Sequence, residues 1–126
     1  MISALPSVAI GSRLPAEFVT HVTTARTKAS EAATALVDTS NASFATATSA
    51  AEQARTAVEL ARTFRDVPDD ALYGVFDAEQ AIRGGLGHLY VGQNHRPDLK
   101  EFTRASAQFE LGERAVGFLD RALSAG

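Results

Sequence analysis

The clearest candidate for chemistry in this sequence is a short segment that contains Arg83, His88 and Tyr90. A histidine side chain can donate or accept a proton near neutral pH. An arginine can stabilise the negative charge that develops on a phosphate oxygen. Because the three residues lie close together in the sequence, one helix could carry all of them. Arg83 and His88 could therefore take part in acid–base chemistry at a phosphate group.

The spacing Arg83-x4-His88 resembles the Arg-x4–6-His signature of the HEPN helical nucleases, which are small four-helix bundles that act on RNA. Some members of that family have a tyrosine two residues after the histidine, where this chain has Tyr90. The polar residue that usually follows the arginine is replaced here by Gly84. The resemblance implies an RNA-cleaving bundle that uses Arg83 and His88, with Tyr90 beside them. RNA cleavage is therefore the alternative function that the sequence offers.

Metal and cofactor sites have little basis in the sequence. The chain has no cysteine, and none of its three histidines lies in a Glu-x-x-His pair of the kind that holds metals in helical bundles. The glycines between Gly84 and Gly92 do not have the spacing of a phosphate-binding loop. We therefore predict no metal and no cofactor, and we expect the histidines to be structural. Glycines weaken a helix by about 1 kcal/mol each, so we expect a loosened helix end there, or a close approach of a neighbouring helix.

Glu79 falls on the apolar stripe of the helix predicted from 68 onward. The other residues of this stripe are Leu72, Val75, Phe76, Ile82, Leu86 and Leu89. A buried carboxylate must be paired or neutralised. Arg83 lies four residues later and is the expected partner. The alternative is a catalytic acid beside His88.

Length and composition limit the remaining possibilities. The chain has 126 residues, of which 45% are hydrophobic and 21% charged, and its net charge is −3. This predicts one folded domain without the basic surface typical of nucleic-acid binding. No apolar run is long enough to cross a bilayer. We expect no membrane partner, and a location either in the cytoplasm or within an assembled particle.

Four segments, spanning about 15–37, 42–65, from 68 onward, and 98–123, show the apolar pattern of packed helices. The apolar residues alternate at three- and four-residue steps in three of them, and their phase is less regular in the segment from 68 onward because of Glu79. The seams of the first two segments are Phe18, Val22, Ala25, Ala29, Ala32 and Leu36, and Phe44, Ala47, Ala51, Ala54, Val58 and Ala61. The sequence therefore predicts an all-α fold, an antiparallel four-helix bundle over 15–126, preceded by an irregular N-terminal arm over 1–14. Residues 38–41 favour caps and turns, so we expect a hairpin between the first two helices. One continuous helix through this point is the alternative.

The first two helices indicate a role in assembly. Asp38 is the only charged residue between Glu31 and Glu52, and ten of the eleven threonines lie between Thr20 and Thr63. Charge depletion marks the centres of protein interfaces, and threonine is a poor helix former that needs packing to hold it. We predict a non-catalytic assembly or interaction subunit, and more specifically a structural component of a large particle such as a phage virion. Its partners would be copies of itself or other protein subunits. The predicted interface residues lie around the hairpin tip: Leu36, Phe44, Ala47 and Ala51.

The apolar arm over 1–14 is expected to pack on the bundle or on a neighbouring subunit.

Overall fold

A computed structural model describes residues 14–38, 40–94 and 99–117. These residues form four helices: α1 (Ala16–Ala35), α2 (Asn41–Ala61), α3 (Asp69–Asn94) and α4 (Leu99–Ala115). Each helix packs against the next along the chain, and α4 returns to pack against α1. The predicted all-α antiparallel four-helix bundle is confirmed, and the described residues contain no strand.

The break between α1 and α2 is built by hydrogen bonds of short polar side chains. Ser40 caps α2, since its hydroxyl accepts a hydrogen bond from the amide of Ser43 at 3.1 Å. The carboxylate of Asp38 accepts bonds at 2.8 Å from the amide of Ser40 and from the hydroxyl of Ser43. These bonds, and foremost those from Ser40, lower the pKa of Asp38. The hairpin is therefore the correct alternative, and the continuous helix is excluded.

The core differs between the two halves of the bundle. Between α1 and α2 it is built largely from alanines, whose small side chains allow two helices to approach closely. Between α3 and α4 it contains larger side chains, namely Ile82 and Leu89 on α3 and Phe102 and Phe109 on α4. The seams predicted for the first two helices are buried as expected, except that Leu36 and Phe44 are only half-buried. Phe76, assigned to the apolar stripe of α3, instead points outward with 46% of its surface exposed.

The glycine-rich segment does not loosen α3, which continues to Asn94. A Cβ atom on Gly85 would overlap the ring of Phe109, and one on Gly92 would lie 2.9 Å from the ring of Phe102. These glycines allow α4 to lie close against α3. The expected loosened end is therefore wrong, and the close approach of a neighbouring helix is correct.

Other boundaries shift by a few residues. Helix α2 ends at Ala61 rather than Arg65, because Phe64 turns inward and its ring packs edge-on against Phe18 at 5.7 Å between centroids. Leu14 ends the predicted arm and is buried in the core. The rest of the arm, over 1–13, and the predicted end of the last helix beyond 117 lie outside the described residues. In the described part of the chain, no helix is both long and apolar enough to cross a membrane.

Candidate interaction surface

The predicted catalytic arginine is engaged in ion pairs with neighbouring carboxylates. The guanidinium of Arg83 lies 3.4 Å from Glu59 of α2 and 3.6 Å from Glu79, one turn earlier on α3. Glu79 is almost fully buried, and its other carboxylate oxygen accepts a hydrogen bond from Arg62, the residue that follows α2. Arg62 in turn lies over the ring of Phe76, 5.4 Å from its centroid. This cluster joins α2 to α3 and keeps a buried carboxylate paired.

The predicted catalytic histidine faces a different helix. The Nδ1 atom of His88 lies 2.7 Å from a carboxylate oxygen of Glu101 on α4, and Arg104 lies 2.6 Å from the other oxygen. The hydrogen bond with His88 is the main reason that the pKa of Glu101 is lowered, although partial burial opposes the shift. This trio joins α3 to α4.

The structure does not bring Arg83 and His88 to one site. Five residues on an α-helix correspond to a rotation of about 140°, and the two side chains accordingly contact α2 and α4 respectively. Tyr90 is exposed, with 42% of its surface accessible. The arrangement gives the resemblance to the HEPN nucleases no geometric support.

Residues at the predicted interface lie mostly inside the bundle. Ala47 and Ala51 are fully buried in the core of this chain, so neither can contact a partner. Leu36 and Phe44 are half-buried, and the Phe44 ring stacks on Phe102 at 6.2 Å between centroids. Both alanines belong to the seam that packs α2 against its neighbours within the chain.

The outward side of the same hairpin carries a stripe of exposed residues on each of its two helices. One row of exposed residues on α2 recurs at alternating three- and four-residue steps and contains no charged residue, whereas Glu59 is exposed beside this row. On α1 four of the exposed threonines follow the same spacing, and Glu31 interrupts them. We call these two stripes together the α1–α2 outer face. They consist of Thr20, Thr24, Thr27, Glu31 and Thr34 on α1, and of Thr46, Ser49, Gln53, Thr56 and Leu60 on α2 with Thr63 in the turn that follows it.

Two shallow grooves run between the two stripes. One has a volume of about 330 Å³ and brings Thr24 of α1 against Thr56 and Leu60 of α2. The other has a volume of about 370 Å³ and lies between Glu31 and Ser49. The two stripes therefore form one surface that extends along the hairpin.

Two ion pairs on and beside this face lie within single helices, and Glu59, next to Leu60, is paired with Arg83 of α3. Lys28 lies 3.2 Å from Glu31. Arg55 lies 3.1 Å from the Oε2 atom of Glu52. The Oε1 atom of Glu52 is buried in the first groove and has no hydrogen-bond partner among the described residues. A partner that covers this face would meet no uncompensated cation.

The hairpin predicted as an interface contains this outward face, whereas Ala47 and Ala51, which were predicted to form the interface, belong to the buried seam. The outward stripe of α2 lies two positions after the buried seam, and its signal is the same heptad spacing with uncharged polar residues. The described residues contain no cluster of three histidine or acidic side chains able to hold a metal ion. Comparisons with protein-family models, with curated proteins and with solved structures gave no match to this chain.

Proposed function

We propose that this protein is a non-catalytic helical assembly subunit that binds other protein subunits through the α1–α2 outer face. The observation that carries the proposal is the length of outward helix surface that lacks unpaired charge. The surface follows heptad spacing, which is the spacing at which one helix packs along another.

Two physical arguments support this function. Helix faces that remain in water are usually rich in alternating charges, whereas interface centres are depleted of them. Exposed threonines also lower helix stability by about 0.5 kcal/mol each relative to alanine. A chain that places so many of them on one outward face gains from covering that face with protein.

The partner chemistry follows from the same surface. Hydroxyl and amide groups can hydrogen-bond across a contact, and a donor from a partner subunit would satisfy the Oε1 atom of Glu52. Neutral, small side chains favour close helix-to-helix packing over binding of a charged ligand. A subunit of this kind suits a repetitive structure, and a component of a large particle such as a phage virion remains our more specific proposal.

The proposal is tested by placing a charge in the groove. Thr56→Arg puts a cation on the outer face, and Glu52, four residues earlier, supports the helix through an i, i+4 pair. Thr103→Arg is the matched control, because Thr103 is exposed on α4, away from this face. Solution mass is measured by light scattering over a wide range of concentration. We expect the unmodified protein and the control to associate, and Thr56→Arg to stay at lower mass.

A second outcome would also support the function. If the unmodified protein is purified from its source with other subunits bound, Thr56→Arg should release them while Thr103→Arg retains them. The proposal would be overturned if Thr56→Arg and Thr103→Arg reached the same solution mass and also retained the same bound subunits.

A further inference from the structure

The outward side of α3 carries a stripe of exposed residues, three of which are aromatic. Its members recur at three- and four-residue steps and are all exposed: Tyr73, Phe76, Gln80, Arg83, Gly87 and Tyr90. Tyr73 exposes 67% of its surface, Phe76 46% and Tyr90 42%. Exposed aromatic side chains grouped along one helix mark interaction surfaces more often than isolated ones do.

Gly87 is the member of this stripe that packing within the chain does not explain. Gly85 and Gly92 leave room for the rings of Phe109 and Phe102, but a Cβ atom on Gly87 would meet nothing within 4 Å. Glycine in a helix interior is unfavourable relative to alanine. Its missing side chain leaves a gap that opens outward, between Arg83 and Tyr90.

We propose that the α3 outward stripe binds a second copy of this chain, with the two α3 helices antiparallel about a two-fold axis. In one register, Phe76 of each copy enters the gap at Gly87 of the other, and Tyr73 meets Tyr90 of the other. In an antiparallel helix pair, two residues lie at the same level when their numbers add up to one constant sum. Phe76 with Gly87 and Tyr73 with Tyr90 have the same sum, so one register brings both pairs together. In that register Gln80 lies opposite Arg83.

The charges of the stripe are compatible with this pairing. Arg83 is its one charged member, and within its own chain Arg83 already lies near Glu59 and Glu79. A second copy therefore brings no uncompensated charge against the stripe, and an amide from Gln80 faces the guanidinium. A two-fold contact of this kind closes on itself and yields a dimer.

The size of the contact sets the expected strength. The stripe spans 18 residues from Tyr73 to Tyr90, a length of about 27 Å. One helix pair of this length buries less than the roughly 800 Å² per partner of a standard interface. We therefore expect a reversible dimer in the micromolar range. The inference rests on α3 alone and is independent of the α1–α2 outer face.

The absence of cysteine from the chain allows the register to be tested by disulfide formation. Phe76→Cys and Gly87→Cys are prepared separately, then mixed under mild oxidation. In the proposed register the two thiols of a mixed dimer lie at the same level. In a dimer of either variant alone, the thiols are 11 residues apart along the helix pair, about 16 Å, which exceeds the Cα separation of about 7 Å that a disulfide tolerates.

We expect cross-linked dimer from the mixture and none from either variant alone. A mixture of Thr103→Cys and Ala107→Cys, both exposed on α4, is the control for random collision and should not cross-link. No cross-link in the Phe76 and Gly87 mixture, or equal cross-linking by either variant alone, would overturn the proposal. Such a result would indicate that a different protein binds the stripe.

A second measurement tests the gap itself. Gly87→Gln fills the gap without a clash in the monomer, so we expect the folded monomer to persist and the dimer to weaken at least tenfold. Ala107→Gln introduces the same side chain on α4 and should leave dimerisation unchanged. An unchanged dimer affinity in Gly87→Gln contradicts the proposed contact. Because Thr56→Arg leaves α3 intact, its effect and that of Gly87→Gln separate the failure of one proposal from that of the other.

Discussion

Gly85 of α3 lies directly against the ring of Phe109 of α4, so closely that a methyl group on Gly85 would overlap the ring. The helices meet at this point only because the glycine has no side chain. The cost of an interior glycine is here offset by the close packing of a fully buried phenylalanine.

This contact predicts opposite effects for two alanine substitutions two residues apart. Gly85→Ala should lower the free energy of unfolding by about 1–2 kcal/mol, since overpacking exceeds the gain in helix propensity. Gly87→Ala should raise it by about 1 kcal/mol, since its methyl group enters open space and only helix propensity changes. Urea unfolding of dilute protein measures both values. Equal effects of the two substitutions would contradict the packing of α4 on α3.

The buried carboxylate of Glu79 leads to a second prediction. Arg62→Met leaves Glu79 with only Arg83, which lies 3.6 Å away, and should cost about 3 kcal/mol, near the lower end for a broken buried ion pair. Glu79→Met fills the same space with an apolar side chain, and the freed arginines are exposed enough to be hydrated. We expect its cost to be below about 1 kcal/mol. Urea unfolding compares the two variants, and the reverse order would show that the carboxylate itself stabilises the fold.

The same residues show how far the sequence could predict this cluster. Burial of Glu79 and its pairing with Arg83 followed from helical spacing, because both residues lie on one helix. The pairing with Arg62 did not, since Arg62 is 17 positions away and only the packing of α2 on α3 brings it close. The same limit applies to Gly85, because periodicity cannot identify which ring fills the space beside a glycine.

The interface prediction shows a related limit. Heptad spacing identified Ala47 and Ala51 as packing residues, but it could not indicate whether the partner was α1 or another subunit. In the structure they pack within the chain. The uncharged outward residues of α2 carry the remaining signal, because burial within the monomer does not account for them. Phe76 was assigned to the buried stripe of α3 because it is apolar and lies beside that stripe in the helix, although its side chain is exposed.

The cap of α2 gives a third prediction. Ser40→Ala removes the hydroxyl that accepts the amide hydrogen of Ser43, and should lower the free energy of unfolding by about 1 kcal/mol. Ser49→Ala is the control on the exposed middle of α2, where alanine is the better helix former, and it should be neutral or slightly stabilising. Thermal unfolding followed by circular dichroism compares the two. A neutral Ser40→Ala would mean that Asp38 alone maintains the turn.

Acid stability depends on the trio of His88, Glu101 and Arg104. Because the folded state lowers the pKa of Glu101, the ionised carboxylate stabilises the fold at neutral pH. That contribution is fully present above the ordinary glutamate pKa of about 4.5 and is lost as pH falls through the lowered value. Glu101→Gln should therefore reduce the melting temperature at neutral pH, and the difference from the unmodified protein should shrink in acid. Glu110→Gln, on an exposed glutamate of α4, should show no such pH-dependent difference. A difference for Glu101→Gln that stays constant from neutral pH into acid would mean that the carboxylate acts through packing alone, and not through its charge.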